Sequence, residues 1–77
     1  MDINSFIVLF AEQFDDLDAS ALTPETVFKQ LDGWNSLVAL SIIAMIDEEY
    51  DVTVKGEDIR NAATISDLFR NVSSKME

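Results

Sequence analysis

A glycine-containing loop, Leu31-Asp32-Gly33-Trp34, runs directly into an apolar segment in which Leu37, Leu40, Ile43, Ile46 and Tyr50 recur at mostly three- or four-residue spacing. That spacing marks an amphipathic helix from about Ser36 to Tyr50, around which the rest of the chain has to pack. Asn35 or Ser36 can cap its start, because a side-chain oxygen there accepts from a first-turn amide that has no partner inside the helix. A serine at this place projects where amides point outward and the helix dipole favours negative charge. A phosphate esterified to Ser36 would therefore sit in a favourable field. The plain alternative is that Ser36 is only a cap.

The flanking segments supply further helices. Asp2 can cap a first helix reaching about Gln13 or Phe14, with Ile3, Phe6, Phe10 and Phe14 near one stripe and Ile7 and Val8 pointing partly away. A long connection from Asp15 to about Asn35 follows. In it, Thr23-Pro24 reads as the cap and first position of a short helical turn, and Leu22, Val27, Phe28 and Leu31 are the side chains that would pin it. Asp51-Val52-Thr53-Val54 alternates like a strand, but an isolated strand has nothing to pair with, so it is read as extended loop. A short third helix spans about Glu57 to Asn61. Thr64-Ile65-Ser66-Asp67 has capping-box spacing with Asp in place of Glu, and opens a last helix with Ile65, Leu68, Phe69 and Val72 on one face. The predicted fold is all-α, a small four-helix bundle forming one domain over residues 1–77.

Composition excludes several classes of function. The 77 residues bury only about 60% of their unfolded surface, so the core is modest. Histidine and cysteine are absent, which removes the commonest general base, the best intrinsic nucleophile and any thiolate metal site. Asp15-Asp16-Leu17-Asp18 lacks the glycine and glutamate of a calcium loop and reads as solvated, with no metal expected. Fifteen acidic residues against five basic ones give a net charge of −10, which repels nucleic acid and anionic lipid. A hydrophobic content of 48% argues against disorder. The apolar run Leu37 to Ile46 is too short for stable membrane insertion, and Met1-Asp2-Ile3-Asn4-Ser5 lacks the positive start of a signal peptide. The expectation is a cytoplasmic monomer whose partners are basic.

The second helix carries a candidate docking surface. Asp47-Glu48-Glu49, with Asp51 beyond, places carboxylates where they oppose the helix dipole, at a cost of about 0.3–1 kcal/mol each. Something besides helix stability is a candidate reason for them, although simple solubilisation also fits. Helical spacing sets Val38, Ser41, Met45 and Glu48 on an outer face, apolar near Ser36 and acidic further on.

Together these features resemble the acyl carrier protein family, over nearly the whole chain from about Phe6 to Val72. The resemblance rests on the Phe28 to Leu31 segment, the tight turn, Ser36-Leu37, the apolar helix, Asp47-Glu48-Glu49-Tyr50-Asp51, and Thr64-Ile65. It implies a non-catalytic carrier. Ser36 matches the serine to which a magnesium-dependent phosphopantetheinyl transferase attaches phosphopantetheine from coenzyme A, and acyl or related carboxylic cargo then rides as a thioester. Acyl-loading and acyl-processing enzymes with basic surfaces would dock on Asn35, Leu37, Val38, Ser41, Met45 and Glu48. A long acyl chain would withdraw between the second and third helices near Ile43, Ile46, Ile59 and Ala62, at about 0.8 kcal/mol per methylene.

Two departures from the family pattern stand out. Asn35 replaces the usual aspartate, keeping the capping oxygen but offering no charge to the transferase or its metal. Trp34 replaces a small residue, and Val38 and Ser41 stand where fatty-acid carriers often have carboxylates. These changes point toward a dedicated carrier of a specialised pathway, while Trp34 also fits as a packing residue. The competing reading is a non-carrier, acidic helical adaptor for a basic protein, with Ser36 only a helix cap.

Overall fold

The computed structural model describes residues 2–76, so Met1, part of the N-terminal reading, and Glu77 lie outside it. The described residues form four α-helices, α1 (Ile3–Ala11), α2 (Ser36–Tyr50), α3 (Gly56–Asn61) and α4 (Ile65–Met76), and no strand. Two 3₁₀ turns, Ala19–Ala21 and Phe28–Gln30, lie in the connection between α1 and α2. Among the described residues no helix is long and apolar enough to cross a membrane.

Helix α1 begins where Asp2 accepts from the Asn4 amide, and its last α-helical hydrogen bond is the one the Glu12 amide donates to the Val8 carbonyl. Gln13 and Phe14 then donate to Phe10 and Ala11 in a tightened turn, which is why the apolar period runs past the helix end. Phe6 and Phe10 are fully buried and Phe14 nearly so. Ile7 is also buried, against expectation, because α1 packs against α2, α4 and the Ala19–Ala21 turn, and a helix with three neighbours buries a wider arc than one stripe. Val8 remains exposed.

The long connection is ordered by what it does for the other helices. Thr23-Pro24 makes a turn, not a turn of helix. Thr26 donates its amide to the Thr23 carbonyl, and the Thr23 amide donates to Thr26 Oγ1 at 2.8 Å. Pro24 occupies the position whose φ its ring presets. The carbonyls of Thr26 and Pro24 then accept the amides of Ile65 and Ser66 at 3.1 and 2.8 Å, satisfying two of the four orphan donors at the start of α4. The Asp67 amide donates to Thr64 Oγ1, and Asp67 Oδ2 accepts from Thr64 and Ala63, so the predicted capping box is formed. Leu22 and Phe28 are buried and Leu31 is half-buried, but Val27 is exposed. The backbone hydrogen bonds to α4, not a Val27 contact, hold that part of the loop.

The aromatic side chains form one connected ladder. Tyr50 and Phe69 meet Phe6, Phe6 meets Phe10, Phe10 meets Phe14 and Phe28, and both of these reach Trp34, with ring centroids 5.2–6.4 Å apart along the way. Trp34 lies edge-on to Phe28 at 5.2 Å and is thus a packing residue that anchors the loop two positions before Ser36. Between Asp51 and α3 the chain is extended, with Val52 and Val54 buried and Thr53 exposed.

Helix α2 has the expected limits, but its core face is Ile42, Met45 and Ile46, with Val38, Ile43 and Tyr50 half-buried beside it. Leu37 and Leu40, placed by periodicity in the buried stripe, are 72% and 62% exposed, while Met45, placed on the outer face, is 5% exposed. The first half of α2 is apolar almost all round. Periodicity alone therefore could not choose which side α1 covers.

Candidate functional site

The site begins with a tight turn. Trp34 donates its amide to the Leu31 carbonyl at 3.1 Å, and Gly33 between them has φ 89°, a region that L side chains rarely adopt. The turn delivers Asn35 in an extended conformation at the start of α2, where its Oδ1 accepts from the Val38 amide at 2.9 Å. Asn35 is the cap. Its carbonyl accepts from Ala39 at 3.0 Å, so the amides of Val38 and Ala39 are both satisfied by this residue.

Ser36 is the first helical residue. It is exposed, its hydroxyl makes no hydrogen bond within the described residues, and the amides of Ser36 and Leu37 have no protein acceptor. A hydroxyl that is free, beside two free amides at the positive end of a 15-residue helix, is suited to bearing an anionic substituent.

Two clefts flank α2 at this end. One, of about 700 Å³, has a floor of Phe14, Leu17, Leu31 and Val38 and a rim of Leu37, Asp15, Asp16 and Asp32, with Ser41 also on its wall. The other, of about 540 Å³, lies between α2 and α3 and contains Ser36 itself with Trp34, Ala39, Leu40, Ile43, Ile59, Lys29, Gly56 and Arg60. The structure thus brings Ser36, Ile43 and Ile59 to one cleft. Ile46 and Ala62, expected there as well, are core residues and do not line it.

Of the expected docking residues, Asn35, Leu37 and Glu48 are exposed, Val38 and Ser41 are half-exposed on the acid-rimmed cleft, and Met45 is buried. Leu40 was missed as a surface residue because its spacing matched the core. Lys29 and Arg60 were missed because nothing local ties either side chain to Ser36: it is the contact of the Lys29 loop with α3 that brings them together, although as two of only five basic residues they carried a signal.

A serine poised to carry an anion, at the mouth of an apolar cleft, is one half of a pattern that known proteins complete. The family described as the phosphopantetheine attachment site matches residues 5–72, which span the site and most of the bundle. The chain belongs to the acyl carrier protein family. It is 29% identical over 59 residues to an acyl carrier protein from an Exiguobacterium strain, covering 77% of this chain and 75% of that protein. No solved structure matches. The family's cofactor is covalently attached phosphopantetheine, and its members are carriers, not catalysts. The residues present fit the group: an unencumbered hydroxyl can be esterified without breaking any contact, and the free amides of Ser36 and Leu37 face the phosphate charge it would bring.

Proposed function

We propose that Ser36 is the residue that bears phosphopantetheine, and that the chain receives it from a phosphopantetheinyl transferase and then presents acyl or related carboxylic cargo to biosynthetic enzymes. When bound, the group supplies a thiol on a long arm on which cargo rides as a thioester. One observation carries the reading: Asn35, and not Ser36, makes the cap hydrogen bond at the start of α2, so Ser36 has no structural task. The adaptor alternative gave Ser36 only the task of a helix cap, and that task falls to Asn35. With neither histidine nor cysteine in the chain, activation of the hydroxyl falls to the transferase.

The docking surface follows from exposure. Leu37 and Leu40 offer exposed apolar area beside Ser36, Asn35 stands next to it, Val38 and Ser41 border the neighbouring cleft, and Asp47, Glu48 and Glu49 are exposed at the far end of α2. A partner presenting an apolar contact flanked by Lys or Arg matches this order, and salt weakens its charged part. The absence of carboxylates at Val38 and Ser41 favours a dedicated pathway over general fatty-acid synthesis.

Intact mass tests the attachment. Co-expression with a broad-specificity transferase adds the arm to the wild-type chain and not to Ser36→Ala. An unmodified wild type, or an arm on Ser36→Ala, overturns the assignment. On the same assay Leu40→Asp and Glu48→Lys slow transfer; unchanged rates for both mean that the partner uses another face.

A further inference from the structure

Acids outnumber bases fifteen to five in this chain, so an unpaired base is unexpected. Arg70 is paired with Asp67 and Lys75 with Asp58, but Lys29, Lys55 and Arg60 have no carboxylate within 4 Å among the described residues. Of these, Lys29 and Arg60 line the cleft that contains Ser36, whereas the cleft on the other side of α2 is lined by Asp15, Asp16 and Asp32 and by no base. The two clefts at this end of α2 therefore differ in the sign of their charge.

The cations are held in place by the fold. Lys29 Nζ donates to the carbonyls of Ile59 and Arg60 at 3.2 and 2.8 Å, which fixes it against the end of α3, and its third donor remains free. The Arg60 guanidinium folds back along α3 over Gly56, where a Cβ would stand 3.5 Å from Nη1. Ala39, Leu40, Ile43 and Ile59 give the same cleft an apolar wall. A chain of charge −10 repels free anions, so an anionic group enters only where local cations offset that field. The arm's own phosphodiester has the α2 amides beside it, whereas Lys29 is tied to α3 on the opposite wall.

We propose that the cleft between α2 and α3 receives short acyl cargo ending in a carboxylate, with a few methylenes on the apolar wall and the carboxylate held by Arg60 and the free donor of Lys29. This rests on the arm being attached at Ser36. It names the class of cargo as half-thioesters of dicarboxylic acids.

The test loads the chain from glutaryl-CoA or pentanoyl-CoA with a broad-specificity transferase, confirms loading by intact mass, and compares melting temperatures with the unloaded-arm protein at low salt. The glutaryl form melts about 2–5 °C above the pentanoyl form, a gap sized for one exposed ion pair in a domain this small. Arg60→Gln closes the gap, Arg60→Lys keeps part of it, and 0.5 M salt narrows it. A pentanoyl form at least as stable as the glutaryl form overturns the proposal, as does a gap that survives Arg60→Gln. If Arg60→Gln lowers the unloaded-arm protein as much as the glutaryl form, the cation reads the phosphodiester and the cargo assignment fails. A chain that takes no arm overturns the attachment reading and this inference with it, whereas full loading without a glutaryl preference overturns this inference alone.

Discussion

Neighbouring substitutions at the start of α2 should have opposite effects on stability and on modification. Asn35→Ala removes the acceptor of the Val38 amide, a 2.9 Å hydrogen bond at an exposed helix start, and leaves that donor to water. Replacing such a cap by alanine costs about 0.5–2 kcal/mol. In a chain of this length, a loss of about 1 kcal/mol lowers the melting temperature by about 4–8 °C. Ser36→Ala removes a hydroxyl with no partner from the first helical position and installs the best helix former, so stability is unchanged or rises by up to about 0.5 kcal/mol.

Urea unfolding followed by far-ultraviolet circular dichroism measures the stability of both variants, and intact mass after incubation with coenzyme A and a transferase measures modification. Asn35→Ala should be destabilised and still accept the arm, while Ser36→Ala should be fully stable and accept none. If Ser36→Ala loses as much stability as Asn35→Ala, the hydroxyl is part of the cap and the argument that it is free for chemistry collapses.

Asn35→Asp keeps the capping oxygen and adds a charge at the positive end of α2, which has no acidic residue in its first turn; stability should rise by about 0.3–1 kcal/mol and the initial rate of arm transfer should increase, both measured on purified protein. Asp51 ends α2 at φ 57°, a conformation asparagine tolerates, so Asp51→Asn should keep the cap geometry, remove one carboxylate from the negative end of the dipole, and raise stability by about 0.3–1 kcal/mol in urea. Amides of Thr64 and Ala63 donating to Asp67, and that of Lys55 donating to Asp58, hold both carboxyls below their ordinary value of 3.8. A depressed folded pKa gives stability that is present above the unfolded value and lost as pH falls through the folded one. Melting temperatures taken from pH 6 to below pH 4 should therefore fall less steeply at the acid end for Asp67→Asn than for wild type.

The helices were legible because their ends carry local chemistry. Asp2, Asn35 and the Thr64–Asp67 box each announce a start through a side chain within three residues, and each makes the hydrogen bond its position implies. What could not be read was anything set by a distant partner. The rotation of α2, which buries Met45 and exposes Leu37 and Leu40, depends on where α1 lies, and in a segment apolar on most sides several rotations satisfy the same period. The role of the long loop was hidden for the same reason. Its ties run from Thr26 and Pro24 to α4 and from Lys29 to α3, across more than 28 positions in each case, as the pairs Lys29–Ile59 and Thr26–Ile65 illustrate. Ser36 was legible as a helix start; that its hydroxyl is free followed only once Asn35 was seen to do the capping.

The acidic end of α2 breaks a local rule that α3 and α4 obey. Asp67 stands in the first turn of α4 and Lys75 in its last, and α3 has Glu57 and Asp58 at its start with Arg60 at its end, all in the sense the dipole favours. On α2 the sense is reversed: its first turn holds no acid, its last holds Asp47, Glu48 and Glu49 with no base, and Asp51 closes it in a left-handed conformation. Each exposed carboxylate there costs about 0.3–1 kcal/mol, a considerable sum for a bundle with so modest a core. Local inconsistencies of this kind concentrate where a surface serves something other than stability. The same helix carries the free serine at one end, exposed leucines beside it and uncompensated acid at the other, which is the order in which a basic enzyme reaching for Ser36 would meet them.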